Sequence, residues 1–91
     1  MAVTVKIPAQ LRPATGGAAE TQVEGTTVRE VLDSLFEHHV ELRERISDDG
    51  GALRRFVNVY VGGEDIRFMD GLETPVADGA EVTILPAVAG G

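Results

Sequence analysis

The chain has 91 residues, 43% of them hydrophobic, with 8 basic against 15 acidic side chains, a formal charge of −7 and no cysteine. A chain this short supports one core and no deep cleft between domains, so it reads as a single domain, 1–91, and as a binding or carrier module more than a catalyst. The acidic balance repels phosphate backbones and anionic membranes, which argues against nucleic acid or a membrane as partner, while the missing thiols exclude disulfides, thiolate metal sites and a cysteine nucleophile.

Val3, Val5 and Ile7 alternate with Thr4 and Lys6, the period of a half-buried strand, ended by Pro8. This opening holds no charged lead into an apolar stretch, so the expected location is cytoplasmic. Leu11 to Ala18 carry Pro13 and Gly16-Gly17 and read as a turn or loop; Ala19 to Glu24 alternate again, with Glu20, Gln22 and Glu24 outward, completing an antiparallel hairpin.

Thr27-Val28-Arg29-Glu30 has capping-box spacing, in which the Thr27 hydroxyl accepts from the Glu30 amide and the Glu30 carboxylate reaches back. Val28, Val31, Leu32, Leu35 and Phe36 then form one apolar helical stripe that covers a sheet face. The helix frays near His38-His39, and Leu42 and Ile46 continue the apolar face into a shorter helical piece, stopped at Asp48-Asp49-Gly50-Gly51. Glu37, Glu41, Glu44, Asp48 and Asp49 read as a solvated acidic face, with steering of a basic partner as the sharper alternative.

Arg55 to Val61 is the clearest strand, with Val57, Val59 and Val61 on one face and Phe56, Asn58 and Tyr60 on the other. Gly62-Gly63 is a hairpin signal, Glu64 to Arg67 the short returning strand, and Thr74-Pro75-Val76 is too broken for a regular element. A last strand runs from about Glu81 to Leu85. The order predicts a mixed sheet of four to five strands with one main helix across it, an α+β fold, and parallel pairing of the last strand with the first leaves 86–91 as an exposed tail.

Catalytic constellations are missing. His38 and His39 have no second ligand pair at helical spacing, no metal site is expected, and neither a Ser-His-Asp nor a phosphate-loop spacing occurs. The terminal Gly90-Gly91 stands apart from the other glycine pairs because no element follows for it to turn into, although with 11 glycines chance alone gives such an ending roughly once in seventy. Two residues without Cβ atoms keep a chain end thin and extended, so a narrow partner channel admits Val88-Ala89-Gly90-Gly91, and Pro86 restricts the exit. The α-carboxylate, ionised at neutral pH with a reference pKa of about 3.5, can attack the α-phosphate of ATP held by another enzyme. The acyl-adenylate then yields to a sulfur donor, giving a thiocarboxylate, or to an amine, giving an amide.

The stretches Arg55-Phe56-Val57-Asn58-Val59-Tyr60-Val61, Glu64-Asp65-Ile66-Arg67-Phe68 and Asp78-Gly79-Ala80-Glu81-Val82-Thr83-Ile84-Leu85-Pro86-Ala87-Val88-Ala89-Gly90-Gly91 resemble the ThiS/MoaD sulfur carriers, prokaryotic ubiquitin-like proteins of β-grasp fold. Val3-Thr4-Val5 through Leu11-Arg12-Pro13 and Thr15-Gly16-Gly17 are similar to the branch that serves cysteine biosynthesis. The resemblance implies adenylation of Gly91 by an E1-like adenylyltransferase/sulfurtransferase and conversion to a thiocarboxylate. It further implies transfer to an activated serine on a cysteine synthase, and release of cysteine by a metalloprotease. ATP, pyridoxal phosphate and zinc are then cofactors of those partners, none bound by this chain. The Pro86 to Gly91 ending is also similar to the molybdopterin synthase small subunit, a thiamin-type carrier shares the chemistry, and a ubiquitin-like modifier joining Gly91 to lysine amines is the reading of another class.

Phe56, Tyr60 and Leu85 leave their strands opposite the valines and Ile84, and so form a candidate partner-docking patch unless a loop covers them.

Overall fold

The computed structural model describes residues 2–48, 50, 53–54 and 57–86. Strand β1 (Ala2–Lys6) pairs antiparallel with β2 (Glu20–Glu24), Val3 opposite Val23 and Val5 opposite Thr21. Helix α1 (Val28–His38) and helix α2 (Val40–Ile46) follow, then β3 (Val57–Val61), a two-residue β4 (Glu64–Asp65) and β5 (Glu81–Pro86). The sheet order is β2-β1-β5-β3-β4. The last strand therefore lies in the middle of the sheet, parallel to β1 and antiparallel to β3.

The period-two pattern places Val3, Val5, Val23, Val57, Val59, Val82 and Ile84 on the inner face, all nearly inaccessible to water. Against them α1 lays Val28, Val31, Leu32 and Leu35, and α2 adds Leu42 and Ile46. Burying such a side chain contributes about 1.5–3 kcal/mol, so the helix stripe outweighs its cap, which is worth about 1 kcal/mol. A hairpin, a covering helix and a final strand returning parallel between the two hairpins make this a ubiquitin-like β-grasp fold.

The α1 cap forms with one change of partner. The Glu30 amide donates to Thr27 Oγ1 at 3.2 Å, but the Glu30 carboxylate accepts from the Thr26 amide and the Thr26 hydroxyl, both at 2.8 Å, one residue before the cap. Thr27 also lies opposite Pro75 in an isolated antiparallel bridge. Around it the Val28 amide donates to the Thr74 carbonyl at 3.0 Å and the Val76 amide to the Thr26 carbonyl at 2.9 Å. The irregular segment 74–76 thus closes the start of the helix against the body.

His39 separates the two helices. Its amide donates to Leu35 O at 2.8 Å and its carbonyl accepts from Leu42 N at 3.0 Å, so one extended residue ends α1 and begins α2.

Two local expectations are corrected. The segment from Leu11 is not an open loop: Ala9–Thr15 forms a 3-10 helix that buries Leu11 and Thr15, because Leu11 packs into the core and the Thr15 hydroxyl lies 3.0 Å and 2.9 Å from the carbonyls of Arg12 and Ala18. The strand expected over Glu64 to Arg67 stops at Asp65, and Ile66–Phe68 is a 3-10 turn. There the Asp65 carboxylate accepts from the Arg67 amide at 2.9 Å, which closes the turn, and Ile66 is only 2% exposed. The hairpin before it is as expected: Gly62 and Gly63 have φ of 58° and 90°, the backbone region that a two-residue hairpin needs and that favours glycine.

Candidate functional site: the end of the last strand

The tail residues Val88, Ala89, Gly90 and Gly91, and Phe56 of the expected docking patch, lie outside the described residues. The structure does fix where the tail is rooted. Pro86 is the register partner of Val57, at the end of β3 away from the Gly62-Gly63 hairpin. Leu85 faces Asn58, Ile84 faces Val59 and Thr83 faces Tyr60.

The strand carrying the tail is held on both sides. Thr4, Val5 and Lys6 of β1 are in register with Glu81, Val82 and Thr83, and Val82 and Ile84 are completely buried. Any pull on the end is resisted by this ladder and by the two core side chains, so the strand is a rigid base.

Leu85 lies on the opposite face and is 44% exposed, while Tyr60 is half-buried. The two lie on the outer face of the sheet with Thr83, Asn58, Thr4 and Lys6.

The outer face also carries the chain's single lysine. Lys6 Nζ is 2.7 Å from a Glu20 carboxylate oxygen and 3.9 Å from one of Glu81. The hydrogen bond and charge of Glu20, with Glu81 adding, raise the ammonium pKa above its ordinary 10.5. Glu30 moves the other way: the Thr26 amide and then its hydroxyl hold the carboxyl below its ordinary 4.5.

Among the described residues no group of three or more His, Cys, Asp or Glu is placed to hold a metal ion, and no helix is long and apolar enough to cross a membrane. The His38 ring Nδ1 lies 2.8 Å from the Ser34 carbonyl one turn earlier, a local contact at the end of α1.

Sequence reasoning passed over one exposed residue. Phe68, on the 3-10 turn after β4, is 88% exposed, with Met69 beside it at 38%. The short returning strand expected over Glu64 to Arg67 stops one residue before it.

A β-grasp body whose last strand lies between β1 and β3 defines the class of small ubiquitin-like proteins. The sequence profile of the ThiS family matches residues 5–91, and the chain belongs to that family. It is 50% identical over 93 residues to the sulfur carrier protein CysO of Mycobacterium tuberculosis, covering 100% of both chains. It superimposes with a TM-score of 0.90 on a chain of the Amycolatopsis orientalis BexX/CysO complex, at 48% identity over 98% of this chain and 99% of that one. The small archaeal modifier protein 1 of Methanosarcina acetivorans matches with a TM-score of 0.88 and 36% identity, over 99% of this chain and 96% of that one. The chain is accordingly a homologue of carriers and modifiers, not of catalysts.

Proposed function

We propose that this chain is a sulfur carrier that works through Gly91, in the cytoplasm and in the service of cysteine biosynthesis. The observation that carries the reading is the full-length 50% identity to the M. tuberculosis carrier, together with a family match that runs through the terminal Gly-Gly. The rigid, interior β5 supports it, because a strand that cannot slide presents its end at a constant distance from the body.

In the proposed cycle a Gly91 carboxylate oxygen attacks the α-phosphate of ATP bound by an E1-like enzyme, and pyrophosphate leaves. A sulfide-level donor adds to the acyl carbon and AMP departs, exchanging one oxygen for sulfur. The thiocarboxylate sulfur, the better nucleophile, displaces the leaving group of an activated serine on a cysteine synthase, which supplies pyridoxal phosphate. A zinc metalloprotease then hydrolyses the bond between Gly91 and cysteine. The chain's own part is to dock its body, with Tyr60 and Leu85 and the adjoining Phe56 as the proposed contact, and to thread residues 88–91.

Incubation with the activating enzyme, ATP and sulfide is expected to give an oxygen-to-sulfur exchange in the intact mass, lost when Gly91 is deleted. An unchanged mass in the full chain would overturn the reading. Delivery of cysteine distinguishes this acceptor from a pterin precursor or a thiazole, the outcomes for a molybdopterin or thiamin carrier.

The likeness to an archaeal modifier favours a second reading, in which an amine of a target protein takes the activated Gly91. Branched conjugates in place of the sulfur exchange would establish it.

A further inference from the structure

A single exposed aromatic needs no special explanation. Phe68 differs in how firmly it is presented and in where it stands. Its turn is anchored by buried Ile66, by the Arg67 amide donating to the Asp65 carboxylate at 2.9 Å and by the Met69 amide donating to the Ile66 carbonyl at 3.0 Å. The next residue is held too, since the Asp70 amide donates to the buried Thr74 hydroxyl oxygen at 3.1 Å. The ring is thus held in water by a turn that has no freedom to hide it.

Its position relates it to the tail. The Arg67 guanidinium donates to the Val57 carbonyl at 3.0 Å, and Val57 is the register partner of Pro86. The Phe68 turn is thereby tied to the end of β3 that pairs with Pro86, the residue just before 87–91 in sequence. A surface hollow of about 450 Å³ lined by Leu53, Arg54, Ile66, Arg67, Gly71 and Leu72 opens on the same turn. Glu64 and Asp70, on either side of Phe68 in sequence, are both exposed.

We propose that Phe68 is the body anchor for the activating enzyme that takes the C-terminal tail, entering an apolar pocket on that enzyme whose rim is lined by lysine and arginine. The inference rests on the carrier reading above. A tail of small residues offers a partner little surface, so binding strength has to come from the body, and a rigid aromatic entering a dry pocket is the commonest way to supply it. The acidic flank complements a basic rim and speeds encounter.

The test is ATP–pyrophosphate exchange by the E1-like enzyme of the same organism, with the intact chain as substrate. Phe68→Ala is expected to raise KM for the carrier about tenfold or more with kcat within about twofold, and Phe68→Leu to recover part of the loss. Val40→Ala, at a comparably exposed apolar side chain on α2, is the control and leaves both parameters unchanged. The double variant Glu64→Gln/Asp70→Asn is expected to flatten the fall of kcat/KM with salt. Thermal midpoints are measured on every variant, so that a loss of folding is not read as a loss of docking. An unchanged KM in Phe68→Ala overturns the anchor while leaving the carrier reading intact. Absence of exchange with the unaltered chain, or exchange that survives deletion of Gly91, overturns both.

Discussion

The Arg67 guanidinium and the Val57 carbonyl, ten residues apart in sequence, meet at 3.0 Å and tie the 3-10 turn after β4 to the strand that partners Pro86. Replacing Arg67 by methionine keeps much of the stem but removes the donor. Denaturant unfolding is expected to show a loss of about 1.5 kcal/mol, the lower end of the range for a hydrogen bond from a charged group because the contact is only partly buried. Proteolysis between residues 62 and 73 should quicken in the same variant.

Leu35 sits in the middle of the α1 stripe and is completely buried. Leu35→Ala removes apolar area and leaves a cavity against the sheet, with an expected cost of about 2–5 kcal/mol. The denaturation midpoint should fall with an unchanged slope. An equal cost for Phe36→Ala, whose ring is only partly buried, would contradict the packing described.

Gly25 is required by space. A Cβ there would lie 2.7 Å from the Val31 amide nitrogen and 3.0 Å from the Glu30 carbonyl carbon, both backbone atoms of the helix that cannot give way alone. Gly25→Ala is expected to destabilise by about 1–3 kcal/mol, the range for overpacking. Gly50→Ala is the matched control: among the described residues its new atom would meet only the Asp48 carboxylate at 3.4 Å, and the change should lie within about 0.5 kcal/mol.

Thr27→Ala removes the acceptor of the Glu30 amide and is expected to cost about 1 kcal/mol, read from the thermal midpoint. Glu30 adds a pH signature. Its folded pKa lies below the ordinary 4.5, so its contribution is present above that pH and is lost as the pH falls through the folded value. Glu30→Gln should therefore flatten the acid limb of a stability-against-pH curve and leave the alkaline limb alone.

Lys6 predicts the opposite limb. Because Glu20 and Glu81 raise its pKa above 10.5, its contribution is complete below that pH and disappears as the pH rises through the folded value. Lys6→Met should remove part of the alkaline fall in stability without affecting the acid side. Titration of the Nζ signal in the unaltered chain, giving a midpoint at or below 10.5, would contradict the pairing.

Much of the fold was written in local pattern. Alternation at Val3 to Ile7 and Val57 to Val61, the helical stripe from Val28 to Phe36 and the break at His38-His39 each specify one element, because side-chain periods of 2 and 3.6 are properties of the backbone alone. The Gly62-Gly63 hairpin was legible for the same reason. The 3-10 helix at Ala9–Thr15 was not, since Pro13 and the following glycines look the same whether or not Leu11 finds a core to enter.

By itself the sequence determined the long strands and the main helix, the acidic balance and the Gly90-Gly91 ending, since each depends on residue identity and close neighbours. Only the tertiary structure decided that β5 lies between β1 and β3, that the Glu30 carboxylate lands on Thr26, that Lys6 sits between two carboxylates, and that Phe68 stands in solvent near the root of the tail. Those outcomes depend on strands and turns from distant parts of the chain meeting, and pairing across such separations is settled by the packing of the whole core, which no local pattern contains.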